Sequence, residues 1–410
     1  MRRVVISGLG SICPIGNDVQ TMWKNLLAGT CGIDYITRFD TSDYKVKIAA
    51  EVKGFDPTLY MEKSDVKRTD LYAQYAIAAA AQAMTDSNLE GNIDPLRLGV
   101  YIGSGVGGMN AFIDNQTKLL ERGPSRVSPF FITMMIGNMA AGLVAMKYQA
   151  QGPCLPIVTA CSTGAHSIGE AVRAIKHGYA DAIIAGGAEA TVTPLAIAGF
   201  TNCMALCTNN DPQNSSIPFD KRRSGFVMGE GAGAMVLEEY EHAKARGADI
   251  YAEITGYGNT CDAHHITAPH PEAVGAANAI KRAMDEAGLT GKEQIYINAH
   301  GTSTPLNDKT ETLAFKQALG EKEAYQAVIS STKSMTGHML GAAGVVESIV
   351  AVLALSEGII PPTIGYKEPD PECDLDYCPN EARKWQADAA LCTLLGFGGH
   401  NACLAFSKTD

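Results

Sequence analysis

The chain has 410 residues, of which 46% are hydrophobic and 42 are glycine, and its formal net charge is −11. This length predicts two or three domains with a large core, and the acidic balance argues against nucleic acid, whose binding needs a basic face. Eleven cysteines without paired metal spacing indicate reduced thiols; with no signal-like N-terminus and only short apolar runs, we expect a soluble cytoplasmic protein that does not enter membranes.

The predicted elements recur in the same order in two parts of the chain. A short strand ending in Gly-x-Gly precedes an alanine-rich helix and a strand with a polar end. An apolar strand, a sharp turn and a Gly/Ala-rich helix follow, and a glycine before a strand closes each part. The pairs are 5–10 with 253–258, 72–84 with 273–287, 98–104 with 295–300, 157–174 with 328–355, and 231–237 with 398–404. The alternation predicts two α/β halves, 1–250 and 251–410, with the helices after the sharp turns buried between them.

Cys161 lies at the predicted strand-to-helix turn of the first half, within Val158-Thr159-Ala160-Cys161-Ser162-Thr163-Gly164. The helix after it is apolar at 168, 171, 172 and 175, which is the spacing of a buried helical face. Unpaired N–H groups and the dipole at a helix start stabilise negative charge, so the position predicts raised thiolate character and a nucleophile. A buried structural cysteine is the alternative that this peptide alone leaves open.

Three polar segments follow predicted strands of the second half, namely 298–305 with His300, 330–334 with Lys333, and 336–344 with His338. Taken singly, each histidine could be structural. Equivalent strand ends of duplicated halves meet near a pseudo-twofold axis, so these side chains and Cys161 are expected in one pocket. The turn Gly396–Gly399 carries one aromatic residue and predicts a mobile flap that directs N–H groups into that pocket.

In combination these motifs resemble the β-ketoacyl-acyl-carrier-protein synthases, condensing enzymes with the thiolase fold, and especially the type II elongating synthases of bacterial fatty acid synthesis. The resemblance spans nearly the whole chain and depends on TACSTG at 159–164, NAHGTSTP at 298–305, STKSMTGHMLGAAG at 331–344 and GFGG at 396–399. It implies an α/β, thiolase-like five-layer α-β-α-β-α fold of two duplicated halves, usually a homodimer. It also implies acyl carrier protein as partner, with substrates on its phosphopantetheine and no cofactor.

The resemblance implies a role for each polar residue of the motifs. Cys161 would take the acyl chain as a thioester, and His300 and His338 would assist the decarboxylation of malonyl-carrier protein. The N–H groups of Cys161 and Phe397 would hold an oxyanion. Lys333 would lie near His338 and Glu347, where its charge lowers the pKa of the histidine and keeps the imidazole neutral.

The resemblance also implies binding residues away from the reacting atoms. Two hydroxyls would hold the pantetheine arm, three apolar side chains would surround the acyl chain, and a basic patch would receive the carrier protein. In that order, these are Thr302 and Thr304; Phe200, Phe226 and Val106; and Lys67 and Arg68. From the residues alone, Lys63 belongs to the same candidate patch and Arg122 and Arg126 are weaker candidates, with ordinary solvated charges as the alternative.

The chain departs from the family pattern in two places. Cys392-Thr393-Leu394-Leu395 stands where the family often has Ser-Asn-Ser-Phe, near a monovalent-cation site in relatives. This leaves a bound sodium or potassium open, although Asn298 and Glu347 remain. Ser64 and Met204 replace basic docking residues of some relatives, which concerns the affinity for carrier protein and not the chemistry.

Other members of the superfamily would carry different residues. A thiolase needs a second catalytic cysteine in a C-terminal C-x-G motif, which Cys403-Leu404-Ala405 does not supply. An initiating or chalcone-type synthase would have asparagine in place of His338, and a non-catalytic chain-length factor would lack Cys161. A metal site at His264, His265 and His270 would need further ligands at suitable spacing, so we expect no metal.

The sequence thus predicts a decarboxylative Claisen condensation that elongates fatty acyl chains by two carbons on carrier protein. The alternative is a non-elongating or secondary-metabolite, polyketide-type ketosynthase. The preferred acyl length is left open.

Overall fold

The computed structural model describes residues 2–409. Its strands are β1 Val4–Ile12, β2 Asp34–Tyr35, β3 Ile48–Ala49, β4 Leu98–Gly103, β5 Cys154–Leu155, β6 Ala182–Glu189, β7 Gly231–Glu239, β8 Ala252–Cys261, β9 Ile295–Asn298, β10 Val328–Ser330, β11 Ile359–Ile360, β12 Arg383–Lys384, β13 Ala389–Gly396 and β14 His400–Ser407. Its helices are α1 Val19–Leu27, α2 Lys63–Val66, α3 Leu71–Ser87, α4 Met109–Arg122, α5 Phe131–Met135, α6 Met139–Tyr148, α7 Thr163–Lys176, α8 Pro194–Asn202, α9 Tyr240–Ala245, α10 Val274–Ala287, α11 Pro305–Leu319, α12 Glu321–Ala324, α13 Lys333–Thr336 and α14 Ala343–Glu357.

Ten strands form one mixed sheet in the order β10-β9-β13-β14-β8-β1-β7-β6-β4-β5. The sheet consists of two half-sheets of five strands, which meet where Val5 pairs with Glu253 and Ile6 with Ala252. Outward from this junction each half-sheet repeats the same pattern: antiparallel pairing over its first three strands, then parallel pairing to its edge. The duplication expected from the sequence is therefore confirmed.

The helices complete five layers. The middle layer holds α7, which contacts β4, β6 and β7, and α14, which contacts β9, β13 and β14 as well as α7. Helix α3 covers the outer face of the first half-sheet, and α10 covers that of the second. The five-layer α-β-α-β-α architecture is confirmed, and it places the N-terminal ends of α7 and α14 close together in the interior.

The central helix α14 and the turn before it form one apolar stretch, Leu340–Glu357. With 18 residues and a mean hydropathy of 1.7 it is long and apolar enough to cross a bilayer, but 89% of it is buried inside the protein. It is longer than the apolar runs apparent in the sequence, because glycine, alanine, serine and the glutamates Glu347 and Glu357 are part of it. Enclosed by both half-sheets, it is a core helix, which explains why it is hydrophobic on all sides.

Glycines in β1 and β8 allow the outer helices to approach the half-sheets. A Cβ atom at Gly10 would lie 1.9 Å from the carbonyl oxygen of Ala79 in α3, and one at Gly258 would lie 1.8 Å from that of Ala279 in α10. Real Cβ atoms do not come this close to backbone. The repeated Gly-x-Gly segments are thus packing motifs, in agreement with the absence of the third glycine that a dinucleotide site requires.

Gly10→Ala is expected to lower the free energy of unfolding by about 3 kcal/mol, because α3 must move away from β1 to admit one methyl group. Urea denaturation of the purified variant measures this change. The matched control is Gly142→Ala in α6, where a Cβ would meet nothing within 4 Å. Equal stability of the two variants would show that the contact between β1 and α3 is not tight.

Candidate active site

The turn that carries Cys161 is strained and tightly bonded. Residues Ala160–Ser162 form one 3-10 turn that leads directly into α7, and Ala160 has a φ of +51°. This left-handed region costs a residue with a Cβ about 1 kcal/mol or more. The N–H of Thr159 donates to Thr163 Oγ1 at 2.9 Å, and the Ser162 hydroxyl donates to the carbonyl of His400 at 2.9 Å. These bonds hold Cys161 at the wall of a cavity of about 410 Å³.

The second half contains the duplicate of this turn. Leu340–Ala342 is again a 3-10 turn, it leads directly into α14, and Leu340 has a φ of +46°. Gly341 therefore occupies the position that corresponds to Cys161, and His338 lies immediately before the turn. The duplication brings the nucleophile candidate of one half beside the histidine of the other.

His300 and His338 line the same cavity as Cys161. Their rings meet edge to face with centroids 5.2 Å apart, and both side chains are buried. The N–H of Leu340 donates to His338 Nδ1 at 3.3 Å, so in the neutral ring the proton is on Nε2, which has no hydrogen-bond partner. His338 therefore presents a free N–H donor, and His300 Nδ1 is likewise without a partner.

Both imidazoles are neutral at physiological pH. Burial, and after it the positive charge of Lys333, holds the pKa of His300 and of His338 well below the usual 6.5. The effect of Lys333 agrees with the expectation from the sequence, although burial is the larger cause. Neutral rings can donate a hydrogen bond to an oxyanion and can accept a proton from a thiol.

Lys333 forms a fully buried ion pair with Glu347. The ammonium of Lys333, in α13, lies 2.5 Å from Glu347 Oε1, in α14, and each side chain is 1% exposed. Burial raises the pKa of Glu347 to about 7, and the neighbouring Lys333 limits that rise. The pair supplies a fixed cation near the histidines without exposing it to solvent.

The Cys161 thiol is less acidic than the sequence suggests. Burial raises its pKa to about 12, against the opposing effects of Lys333 and of the backbone N–H groups of Phe397 and Cys161. The prediction of raised thiolate character is wrong, because it considered the helix terminus and not the loss of solvation. The backbone N–H groups of Phe397 and Cys161 both interact with the sulfur, and Phe397 also lines the cavity.

The remaining predicted substrate residues do not all line the cavity of Cys161. Thr302 and Thr304 line the cavity of Cys161, with their hydroxyl oxygens 3.0 Å apart. Phe200 packs edge to face against Phe226, which belongs to the same apolar cluster as Cys161. Val106 does not line this cavity. It is 42% exposed and borders a separate apolar pocket of about 340 Å³, together with Gly108, Met109, Phe112, Met135 and Leu195.

The predicted docking residues form an exposed basic patch. Lys63 begins the short helix α2, and Lys67 and Arg68 follow it with exposed side chains. The guanidinium of Arg68 lies over the ring of Phe130, 5.1 Å from its centroid. This contact connects the basic patch to an apolar surface.

The predicted positions do not offer a well-formed metal site. His264 and His265 are exposed on the loop after β8, and His264 is 5.0 Å from His270 between ring centroids. Across residues 2–409 no group of three or more His, Cys, Asp or Glu side chains is arranged to hold a metal ion.

For a monovalent cation, Asn298 Oδ1 and Glu347 Oε2 are buried oxygens without partners. The side chains of Cys392, Leu394 and Leu395 add no oxygen, so this set fits such a cation poorly.

Sequence reasoning missed Glu311, which supports the loop of His300. Its carboxylate accepts hydrogen bonds from the N–H groups of His300 and Gly301 and from the hydroxyl of Thr393, each 2.7 Å long. Glu311 and Asp308 lie one turn apart on α11, and both are fully buried. Two carboxylates at this spacing after a hydroxyl-rich turn were the signal that could have identified them.

The stability of the protein should fall as the pH rises through the pKa of Glu311. Burial raises the pKa of Glu311 from 4.5 to about 7, so the folded state holds its proton more tightly than the unfolded chain. This contribution is complete below 4.5 and is lost as the pH approaches about 7. Glu311→Gln should therefore flatten the pH dependence of the unfolding free energy in that window, as measured by urea denaturation. The exposed Glu321→Gln is the control; identical slopes for both variants would contradict the assignment.

The chain matches two family descriptions in succession. The first, "Beta-ketoacyl synthase, N-terminal domain", covers residues 1–243, and the second, "Beta-ketoacyl synthase, C-terminal domain", covers residues 251–367.

Two relatives are similar over essentially their whole length. A protein of Synechocystis sp. (strain ATCC 27184 / PCC 6803 / Kazusa) is 52% identical over 409 residues, which is 99% of this chain and 98% of the relative. One of Staphylococcus aureus (strain COL) is 51% identical over 410 residues, which is 100% of this chain and 99% of the relative. Both are named "3-oxoacyl-[acyl-carrier-protein] synthase 2".

A solved structure is also similar over both full chains. It has a TM-score of 0.92 and 34% sequence identity, and it covers 100% of each chain. Its description is a type II PKS acyl-carrier protein in complex with its ketosynthase, bound to the hexaketide.

Proposed function

The chain belongs to the β-ketoacyl synthase family, and on that basis we propose that it is an acyltransferase that elongates fatty acyl chains on acyl carrier protein. The reaction is a decarboxylative Claisen condensation between malonyl-carrier protein and an acyl chain held on Cys161. Identity of 51–52% over the full chain to relatives named 3-oxoacyl-[acyl-carrier-protein] synthase 2 supports this function. The observation that carries the mechanism is the single cavity shared by Cys161, His300, His338 and the N–H of Phe397.

In the first half-reaction, the sulfur of Cys161 attacks the carbonyl carbon of the acyl-pantetheine thioester. The new bond forms between this sulfur and the carbonyl carbon, and the bond to the pantetheine sulfur breaks. The negative oxygen of the tetrahedral intermediate accepts hydrogen bonds from the N–H groups of Cys161 and Phe397. Because the resting thiol is neutral, its proton must leave during attack; a neutral imidazole in the cavity can accept it and pass it to the departing pantetheine sulfur.

In the second half-reaction, malonyl-carrier protein occupies the cavity. The bond between the carboxylate and the methylene carbon breaks, CO2 leaves, and the electron pair forms an enolate. The enolate oxygen accepts hydrogen bonds from His338 Nε2 and from His300, and each such donor is worth about 3–4 kcal/mol in a dry site. The methylene carbon then attacks the Cys161 thioester, the bond from the carbonyl carbon to the sulfur of Cys161 breaks, and the sulfur leaves as a thiolate that takes up one proton from solvent.

Lys333 acts in this proposal through its charge rather than as a nucleophile. Its ammonium is paired with Glu347 and therefore cannot reach a substrate carbonyl as a free amine. Burial and, after it, the charge of Lys333 lower the pKa of both histidines and favour the neutral form that donates to the enolate. Thr302 and Thr304 would hold the pantetheine arm, and Phe200 and Phe226 would contact the acyl chain near the thioester.

The proposal is tested by intact-mass spectrometry in two stages. Incubation with acyl-carrier protein should add one acyl mass to the protein, located on Cys161 by peptide mapping. Addition of malonyl-carrier protein should then remove that mass and yield a 3-oxoacyl product two carbons longer, with one CO2 per product. A folded protein that gains no acyl mass would refute the function. Release of a product without elongation would instead favour the alternative of a non-elongating ketosynthase.

Fatty acid elongation is favoured over a polyketide-type function by degree of similarity. The relatives named 3-oxoacyl-[acyl-carrier-protein] synthase 2 are 51–52% identical, whereas the ketosynthase solved with its type II PKS acyl-carrier protein is 34% identical. That structure also supports acyl carrier protein as the partner of this chain, since it shows a ketosynthase of the same fold bound to its carrier.

We place carrier-protein docking on the patch Lys63, Lys67 and Arg68. The double variant Lys67→Glu, Arg68→Glu should raise KM for acyl-carrier protein about tenfold with little change in kcat, because it removes attraction to an acidic partner and not a reacting group. Steady-state kinetics at low and high salt measures this effect. Lys281→Glu, on the outer helix α10, is the control for charge alone. An equal rise in KM for both variants would move the docking site elsewhere.

A homodimer is supported by the exposed edge of the sheet. Strand β5 is the outermost strand of the first half-sheet, and both of its residues are exposed. Leu155 in this strand and Val158 after it are exposed apolar residues, and further exposed apolar side chains lie on the segment from α4 to α6: Phe112, Leu120, Phe130, Ile132 and Met146. A second copy of the chain would cover them. Val158 lies three residues before Cys161, so this interface would border the active site.

We also propose a cytoplasmic location and the domain division 1–250 and 251–410. The eleven cysteines are free thiols, as is usual in a reducing compartment. The division is supported by the half-sheets, whose strands come from residues 4–239 and 252–407 respectively.

A further inference from the structure

The buried carboxylate of Glu189, which is not among the predicted site residues, bonds to two turns next to the candidate active site. Glu189 is the last residue of β6 and is fully buried. Its Oε1 accepts hydrogen bonds from the Ser104 hydroxyl at 3.0 Å and the Val106 N–H at 3.2 Å, and its Oε2 accepts from the N–H groups of Gly105 at 2.9 Å and Gly341 at 3.0 Å. One side chain thus binds the turn after β4 and the turn before α14.

The two turns are packed so closely that little else could join them. A Cβ atom at Gly105 would lie 2.7 Å from Glu189 Oε2, and one at Gly341 would lie 2.5 Å from the N–H nitrogen of Gly105. Both glycines therefore leave space for the carboxylate and for each other. All four of its partners can donate to it, so the ionised side chain satisfies all of them. Burial raises the pKa of Glu189, and the hydrogen bonds from Gly341, Ser104 and Gly105 limit that rise.

The turn of Gly341 determines the orientation of His338. Leu340 is held in the left-handed region at a φ of +46°, and its N–H donates to His338 Nδ1. The next N–H, that of Gly341, is held by Glu189. If Gly341 were released, the unfavourable conformation of Leu340 could relax and its N–H would turn away from the histidine. The proton could then reside on either ring nitrogen of His338.

The turn of Gly105 leads to the apolar pocket beside Val106. Glu189 holds the N–H of Val106, and the Ser104 hydroxyl that donates to Glu189 accepts in turn from the N–H of Gly107 at 2.9 Å. The N–H of Gly108 donates to the carbonyl of Met135, which lines the same pocket. The wall of this pocket is therefore connected to the carboxylate through three consecutive backbone positions.

We propose that Glu189 is a positioning residue that joins the turn after β4 to the His338 turn, keeping the proton of His338 on Nε2 and fixing the wall of the apolar pocket beside Val106. This inference rests on the proposed function for the role of the His338 turn, and on Val106 as a residue that contacts the acyl chain. Glu189 itself touches no reacting atom in it. The side chain acts by holding the donor to the enolate in place while it holds the wall beside Val106.

The test is Glu189→Gln, which keeps the size of the side chain. It replaces one carboxylate oxygen, which accepts two hydrogen bonds, by an amide NH2 group, which can only donate. The rate of malonyl-carrier decarboxylation should fall about 10- to 100-fold, as losses of supporting hydrogen bonds at active sites do. Acylation of Cys161 by carrier protein loaded with a short acyl chain should change little. The ring 15N shifts of His338 should show the Nε2–H form in the unchanged protein and a mixture of both forms in the variant.

The matched control is Glu238→Gln, also a fully buried glutamate, which bonds to Ser7 and Arg246 at the far end of β7. It should lose thermal stability without losing decarboxylation. Unchanged decarboxylation and an unchanged His338 ring in Glu189→Gln would overturn the inference. If the protein without substitutions never decarboxylates malonyl-carrier protein, the proposed function is refuted. The 15N shifts of the His338 ring, compared between this protein and Glu189→Gln, would still decide the role of Glu189.

If Glu189→Gln does not fold, Ser104→Ala is the milder variant. It keeps the carboxylate and its bonds to Gly105 and Gly341, and it removes only the hydroxyl that links Glu189 to Gly107. The ratio of kcat/KM between long and short acyl-carrier substrates should then shift, because the wall beside Val106 loses its support. An unchanged length preference would overturn the inference.

Discussion

Cys161→Ala should gain no acyl mass from acyl-carrier protein and should lose condensation activity by about 10³-fold or more, as expected when the nucleophile of a covalent mechanism is removed. The alanine side chain has no atom that can form a thioester, whereas the turn from Ala160 to Ser162 needs no sulfur for its hydrogen bonds. The fold should therefore be retained. Intact-mass spectrometry measures the first effect, and product formation from malonyl-carrier protein measures the second.

The chain offers a matched control for this experiment. Cys203 lines the same cavity as Cys161, but it is exposed and lies at the end of α8, not at the start of a helix. Cys203→Ala should keep both the acyl mass and the condensation activity. If Cys203→Ala lost the acyl mass and Cys161→Ala kept it, the nucleophile would be Cys203 and not Cys161. If both kept it, the acyl chain would not be held on a cavity cysteine at all.

His338→Ala should separate the two half-reactions. Loss of the Nε2–H donor should lower malonyl-carrier decarboxylation by about 10²–10³-fold, which is the usual cost of one oxyanion donor. Acylation of Cys161 should be retained, because in the proposed mechanism the N–H groups of Cys161 and Phe397, which interact with the sulfur, hold its oxyanion. Stopped-flow CO2 release measures the decarboxylation, and intact-mass kinetics measures the acylation.

The control for His338→Ala is His264→Ala, which removes an exposed imidazole from the loop after β8. It should leave both half-reactions intact. Equal losses of acylation and decarboxylation in His338→Ala would contradict the division of labour between the two oxyanion sites. That result would indicate that His338 is the main acceptor of the Cys161 proton.

Sequence alone determined the repeat and the elements that build it. The paired segments correspond to β1 with β8, α3 with α10, and the helices α7 and α14 after the two sharp turns. These elements are encoded locally, by glycine spacing, alanine-rich helices and alternating apolar residues. Duplicated local patterns predict duplicated units, and for that reason the fold followed from the sequence.

The same local reasoning placed Cys161, His300, His338 and Lys333 at strand-to-helix junctions. The fold brings the first three to one cavity and buries Lys333 in an ion pair with Glu347. Local reasoning failed for properties that depend on many residues distant in the sequence. The acidity of the Cys161 thiol depends on the solvent excluded by both halves, and the position of Val106 depends on how α4 and α5 close over the turn after β4. Neither quantity is contained in a short segment.

Only the tertiary structure revealed Glu189 and Glu311. Glu189 bonds to Gly341, which is 152 residues away, and Glu311 bonds to Thr393, which is 82 residues away. In the sequence each is one acidic residue among 44. A buried carboxylate is identified by the donors that surround it, and those donors come from separate strands and turns that meet only when the two half-sheets enclose α7 and α14. Local chemistry thus determined which residues could react, and the packing of the two halves determined what holds them in place and how acidic they are.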